Sequence, residues 1–155
     1  MFISFNLPKN DCINIANFVY QEKDNWEKDL NNVKSLTSGF RPDYKFLHDI
    51  GDWCINNILP KINNSNKWEK SCWWVNYYKK GDYTDPHHHH PEEYSLIIII
   101  KPSKKNCLYF LNNDKKHYVE EKEGLAILFK SDVEHGVEPV DDDRITVAMD
   151  FIRII

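Results

Sequence analysis

Apolar positions change their spacing once along this chain, from a helical period in the first half to strand-like runs in the second. After a short opening strand, Asn10 and Asp11 can cap a helix whose inner face carries Cys12, Ile15, Ala16 and Val19. Gly39 and Pro42 punctuate the link to a second helix. That helix is expected from about Asp43 to Leu59, with Leu47, Ile50, Cys54 and Ile58 at helical spacing and Pro60 as its stop. The polar stretch Lys61–Lys67 reads as a loop. Beyond it the pattern is β-branched and aromatic. Strands are expected at Cys72–Tyr78, Tyr94–Ile100, Asn106–Leu111, Lys116–Val119, Gly124–Phe129 and Arg144–Ile152, with Asn112-Asn113-Asp114 as a hairpin turn. Tyr94–Ile100 does not alternate, as expected of a strand covered on both faces. Helices followed by antiparallel strands predict a mainly β, α+β fold or a helix-backed β-barrel. A single domain over 1–155 is expected, with 1–68 as helical support and 69–155 as the β core.

The last strand has two unlike faces. Ile145, Val147, Met149 and Phe151 form an apolar row, and Arg144, Thr146, Ala148 and Asp150 form a charged, polar or small one. Period-two geometry puts the first row against a packed layer and turns the second toward a polar interior or toward solvent.

Composition narrows the function classes. The 155 residues carry 20 Lys+Arg against 24 Asp+Glu, a formal net charge of −4, with no Lys/Arg-dense tract, so no nucleic-acid partner is expected. Leu96–Ile100 is too short to cross a bilayer, and Met1–Pro8 lacks the charged start and cleavage site of a signal peptide, so no membrane partner is expected either. The five Trp and 14% aromatic content can bury much surface. Cys12, Cys54, Cys72 and Cys107 form no C-x-x-C pair, which disfavours a zinc knuckle and suits buried thiols in a reducing, cytoplasmic setting. Richness in Asn, Lys and Ile is that of an AT-rich genome, viral or bacterial. No G-x-S-x-G, phosphate loop or activated-cysteine context is present.

The chemistry is concentrated in histidines. Residues 81–91 read Gly-Asp-Tyr-Thr-Asp-Pro-His-His-His-His-Pro, and His135 and Arg144 follow on later strands. On an extended strand His87 and His89 share a face while His88 and His90 point away. A third imidazole from His135 closes three corners of a site for Fe(II), Zn(II) or Ni(II), leaving positions for an organic acid and O2. Arg144 offers a fork for a carboxylate. The plainer explanations are a surface histidine patch, a lone polar His135 on a turn, and an Arg144 paired at the surface with Asp141, Asp142 or Asp143.

The spacing favours the first account. Trp74-Val75-Asn76-Tyr77-Tyr78-Lys79-Lys80-Gly81-Asp82-Tyr83 is followed by Pro86-His87-His88-His89 and by Ser95. Gly124, Phe129, Ser131, His135, Val137, Pro139, Arg144 and Thr146 then follow in order. In these residues the chain from 74 to 151 resembles the 2-oxoglutarate/Fe(II)-dependent oxygenases of the prolyl-hydroxylase-like group, especially small oxygenase-like proteins of marine bacteria and phages. The resemblance implies a double-stranded β-helix, a jelly roll or cupin-like barrel backed by N-terminal helices. It implies a dioxygenase, a hydroxylase of C–H bonds, using Fe(II), 2-oxoglutarate and O2. His87, His89 and His135 would hold the iron. Arg144 would pair with the distal carboxylate of 2-oxoglutarate, with Thr146 and Tyr78 bonding it. Trp74, Asn76 and Tyr83 are candidates to line the pocket of the substrate, a small molecule or a peptidyl residue, with packing an equal account of Trp74. The chain departs from the pattern in four places: His89 where the broader superfamily has Asp, Leu96 where Gly follows the serine, Lys130 where Pro precedes Ser131, and Asp150 where Asn is usual. The small oxygenase-like proteins that it resembles also carry H-x-H.

A cupin reading competes. Gly81, His87, His89 and Glu93 meet G-x5-H-x-H-x3-E, and Gly124 and His135 have the spacing of its second motif. Glu93 would then be a fourth ligand without 2-oxoglutarate, as in a thiol dioxygenase, isomerase or binding module. The first motif's closing glycine would fall at Ile100, however, and Arg144 would have no task. A jelly roll without a metal is the third alternative.

Overall fold

The helical and strand-like halves of the chain pack as layers. The computed structural model describes residues 2–28, 32–64 and 67–154. In chain order the elements are β1 (Phe2–Asn6), α1 (Lys9–Glu22), β2 (Glu27–Lys28), β3 (Val33–Lys34), β4 (Leu36–Thr37), α2 (Lys45–Asn57), β5 (Lys67–Tyr78), β6 (Tyr83–His87), β7 (Tyr94–Lys101), β8 (Leu108–Asn112), β9 (Lys115–Tyr118), β10 (Leu125–Lys130), β11 (His135–Val137) and β12 (Arg144–Ile154). A seven-stranded sheet runs β1-β10-β7-β12-β5-β4-β2, and a five-stranded sheet runs β3-β6-β11-β8-β9. Every described pairing is antiparallel. This is a double-stranded β-helix with two helices on the larger sheet.

Why β7 lacks alternation is now clear. Leu96, Ile98 and Ile100 join Val19, Leu47, Ile50 and Cys54 of the helices in one core cluster. Ile99 belongs to a second cluster with Phe110, Phe129 and Val137, between the sheets. Both faces of the strand are dry, so both must be apolar.

Several boundaries differ from expectation. α1 starts at Lys9 behind Pro8, whose φ of −57° already suits a helix entry, and no side chain caps it. Asn10 and Asp11 therefore lie within the first turn, where Asp11 still favours the positive end of the helix dipole. α2 ends at Asn57, and Pro60 sits in a separate 3-10 turn over Leu59–Lys61 instead of terminating the helix directly. β5 begins earlier than Cys72, at Lys67. Of the loop expected at 61–67, positions 65 and 66 lie outside the described residues. The Asn113 and Asp114 turn is as expected: both have positive φ, 52° and 62°, as a two-residue hairpin requires.

Gly124 joins the helical layer to the barrel. Its φ is +87°, and an added Cβ would lie 2.4 Å from the Leu7 carbonyl oxygen, where only glycine fits. That contact holds the end of β1 against the start of β10. All four cysteines are free. Burial pushes the thiols of Cys12 and Cys54 up to about 11 and about 12, so both behave as packing residues. No helix among the described residues is long and apolar enough to cross a membrane.

Candidate active site

β6 ends at His87, β11 begins at His135, and the antiparallel ladder sets these two residues opposite each other. Their ring centroids are 4.5 Å apart. His89 is not on that strand, contrary to expectation, because β6 has already ended. The chain turns instead, and the His89 N–H donates to the Ser131 carbonyl at 2.7 Å. The ring still returns to the same place: Nε2 of His87 and Nε2 of His89 are 3.1 Å apart. One ligand nitrogen from each of His87, His89 and His135 lies within 4.8 Å of the others. His88 and His90 turn outward and face each other, with centroids 6.3 Å apart.

The outer nitrogens explain why the inner ones can bind an ion. Nδ1 of His87 faces the Asp85 carbonyl at 2.8 Å, and Nδ1 of His135 faces the Val133 carbonyl at 3.0 Å. Nδ1 of His89 lies 3.0 and 3.1 Å from the two carboxylate oxygens of Asp150. All three partners are acceptors, so Nδ1 of each ring is the donor and Nε2, with its lone pair, turns inward. Two lone pairs at 3.1 Å repel unless a cation stands between them. Two nitrogens each about 2.1 Å from one ion, at right angles, would lie about 3.0 Å apart. The donor set therefore fits a divalent metal.

Burial disfavours the charged form of two of the rings. Burial first, and then the neighbouring imidazoles of His87 and His89, hold His135 well below its ordinary 6.5. Burial likewise lowers His87, against the opposing hydrogen bond to the Asp85 carbonyl. Phe129 meets the His135 ring edge-on at 4.9 Å, and Trp74 stacks on His89 at 5.6 Å and 11°. Trp74 is thus a wall of the histidine cluster.

A narrow cavity runs from the three histidines to Arg144, past Asn76, Tyr78, Thr84 and Thr146. Arg144 is fully buried. Its partner is none of the aspartates that precede it: Nε donates to Glu121 Oε1 at 2.8 Å. The other oxygen of Glu121 accepts the N–H groups of Cys107 at 2.6 Å and Leu108 at 2.9 Å. Tyr78 lies beneath the guanidinium, its ring centroid 5.1 Å from the central carbon. Among the described residues, Nη1 and Nη2 of Arg144 are buried without a partner, and so is Oδ1 of Asn76. Buried donors are normally satisfied, so a two-pronged vacancy of hydrogen bonding marks a ligand position.

Other expected residues fall into place unequally. Thr146 lines the cavity. The Tyr78 hydroxyl shares a 2.6 Å hydrogen bond with Thr84, a residue the sequence did not single out. Tyr83 is exposed at the start of β6, opposite Lys34, and lines neither this cavity nor its entrance. Glu93 is outside the histidine cluster and its carboxylate pairs with Arg153, so the cupin-type fourth ligand is not there. Glu121 and Asp150 also went unassigned. Glu121 sits in the charged run 120–123, indistinguishable from a solvated loop, whereas the polar face of β12 already contained Asp150.

The entrance is an open groove of about 320 Å3 bordered by Phe40, Arg41, Trp74, His88 and Glu92. A larger groove of about 600 Å3, between β1 and the two helices, shares no lining residue with the histidine cavity.

Comparison with solved structures decides the architecture. The chain superposes on a Pseudomonas putida prolyl-4-hydroxylase with a TM-score of 0.79 at 14% identity, covering 99% of this chain and 93% of the other. The fold is that of the prolyl hydroxylases. A viral collagen prolyl hydroxylase from Paramecium bursaria Chlorella virus-1, solved as its 2OG complex, matches at 0.71 and 16% identity, covering 99% and 96%. A Trichoplax adhaerens prolyl hydroxylase, bound to a peptide fragment of hypoxia inducible factor, matches at 0.75 and 14% identity, covering 97% and 83%. No protein-family model matches the sequence, and no curated protein matches it either.

Proposed function

We propose that the protein is an oxygenase dependent on Fe(II) and 2-oxoglutarate that hydroxylates a C–H bond of a small-molecule or peptidyl substrate. The observation that carries this reading is Arg144: two buried N–H donors without partners lie in the same cavity as three inward lone pairs. A short dicarboxylate with a 2-oxo group at one end has matching ends, a chelating one for the metal and a carboxylate for the fork. The prolyl-hydroxylase fold, one neighbour of which was solved with 2OG, adds to the same reading.

His87, His89 and His135 are the iron ligands in this proposal, already converging on one point. Bound there, Fe(II) supplies the activation of O2 that couples oxidative decarboxylation of 2-oxoglutarate, to succinate and CO2, with transfer of one oxygen atom to the substrate. Arg144 binds the distal carboxylate through Nη1 and Nη2, while Glu121 holds Nε and thereby sets the aim of the fork. Thr146 and the Tyr78–Thr84 pair offer hydroxyls along the cavity wall. Trp74, Phe110 and Phe129 exclude water from the imidazoles. The substrate enters through the groove beside Phe40, Arg41 and Trp74, which is open enough for a peptide side chain. The peptide bound by the Trichoplax neighbour favours a peptidyl substrate here, with a free small molecule as the alternative. Four free thiols suit a reducing cytoplasm.

The test is direct. Purified protein with Fe(II), O2 and 2-oxoglutarate should form succinate, slowly without substrate. 2-Oxoglutarate titrated calorimetrically into the Mn(II)-loaded protein should bind. Absence of both succinate and binding overturns the proposal.

A further inference from the structure

Two of the chain's departures from the oxygenase pattern, His89 for aspartate and Asp150 for asparagine, lie far apart in sequence. In the structure they touch, the imidazole Nδ1 being 3.0 and 3.1 Å from the two carboxylate oxygens. We infer that Asp150 is a positioning residue for His89, carrying one bond outside the metal site the negative charge that an H-x-D site carries on the metal itself. The inference rests on the proposed metal site and deepens it.

Asp150 has the attributes the role requires. It is buried on the cavity-facing row of β12, 4% exposed, so its charge is poorly solvated and acts strongly at short range. Ser95 Oγ donates to Oδ1 at 2.6 Å, and Ser131 Oγ is 2.8 Å from Ser95 Oγ. Ser131 also accepts the backbone N–H of His89 at 2.7 Å. The carboxylate and the loop that presents the imidazole are therefore latched to one serine pair. A carboxylate in this position fixes the proton of His89 on Nδ1, turns Nε2 inward and raises the basicity of that nitrogen toward a cation. Asparagine could accept the same hydrogen bond but would bring no charge. The inner layer is three imidazoles and has no negative charge of its own. Loss of a carboxylate at position 89 and gain of one at position 150 thus leave the centre with the same count of negative charge, displaced outward by one imidazole.

Displacement of a charge predicts a reversal of sign that a purely structural role does not. Co(II) affinity of the full-length protein, followed by its visible absorption, would be measured for wild type, Asp150→Asn, His89→Asp and His89→Asp/Asp150→Asn, with a thermal melt of each metal-free protein as a fold control. Asp150→Asn alone should weaken Co(II) binding by about 10- to 100-fold, the usual cost of removing such an outer partner. His89→Asp alone sets two carboxylates face to face and should bind metal worse than the double variant. In that background Asp150→Asn should strengthen binding, because the new carboxylate gains an amide donor in place of a like charge. The inference is overturned if Asp150→Asn weakens binding in both backgrounds, or in neither. Wild type that binds no Co(II) overturns the metal site as well, whereas wild type that binds without sign reversal overturns the role of Asp150 alone.

Discussion

The two faces of β12 are equally buried and do opposite work. Ile145, Val147, Met149 and Phe151 are all 0% exposed, against 0–7% for Arg144, Thr146, Ala148 and Asp150. The first row meets the helices and Trp68 and Leaves no polar group to satisfy. The second row carries a guanidinium with two unbonded nitrogens and a carboxylate held by a serine and a histidine. Burial of the apolar row stabilises the fold through area removed from water. Burial of the polar row costs desolvation, and the costs are offset only in part, by Glu121 and the serine pair. One strand thus separates a face that holds the protein together from a face left incompletely satisfied, where the proposed ligand would bind.

The largest effect should come from the apolar face. Phe151→Ala should lower unfolding free energy by about 3–5 kcal/mol, the range for a large aromatic removed from a core. Urea denaturation checks this, and 2-oxoglutarate affinity of the remaining folded fraction should be unchanged. A comparable loss of affinity would show that the two faces are not independent.

On the polar face, Arg144→Lys keeps a cation opposite Glu121 but removes the fork. Affinity for 2-oxoglutarate in the Mn(II)-loaded protein should fall by about 1.5–3 kcal/mol, the contribution of one charged hydrogen bond, while the urea midpoint barely moves. The converse pattern would make Arg144 a structural residue.

Acid should act through His135. Its pKa is held below 6.5 in the folded state by burial, so the unfolded chain binds more protons than the folded one below that pH. Stability of the metal-free protein is then fully present above about pH 6.5 and declines as pH falls, by at most about 1.4 kcal/mol per pH unit for this group. Denaturation at pH 7.5, 6.5 and 5.5 measures the slope, and His135→Phe should flatten it.

Thr146→Val should cost about 0.5–1.5 kcal/mol of 2-oxoglutarate affinity with no loss of stability, since the hydroxyl has a use only when ligand is bound. Smallest of all, His88→Ala should leave Co(II) affinity unchanged, because that imidazole faces His90 outside the cluster. An effect as large as that of His135→Ala would break the distinction between inward and outward histidines.

Much of this site was legible before the fold was known. Period-two reading separated the two rows of β12 and left Arg144, Thr146 and Asp150 together, facing a polar interior or solvent; their burial decides for the interior. The parity argument for His87 and His89 reached the right pair by the wrong route: β6 stops at His87, and a turn tied to Ser131, not strand geometry, returns His89 to its neighbour. Strands of two or three residues, such as β3 and β11, escaped notice because so few positions carry no period.

By itself the sequence determined the order of helices and strands and the two-sided burial of β7, since each follows from local periodicity, and it offered His87, His89, His135 and Arg144 as candidates through their residue chemistry and the family resemblance. Only the tertiary structure decided which acid neutralises Arg144 and which acid stands behind His89. Glu121 and Asp150 reach their partners across 23 and 61 residues of chain. A carboxylate's partner is set by distance in space, on which neither its own periodicity nor its neighbours in sequence carry information.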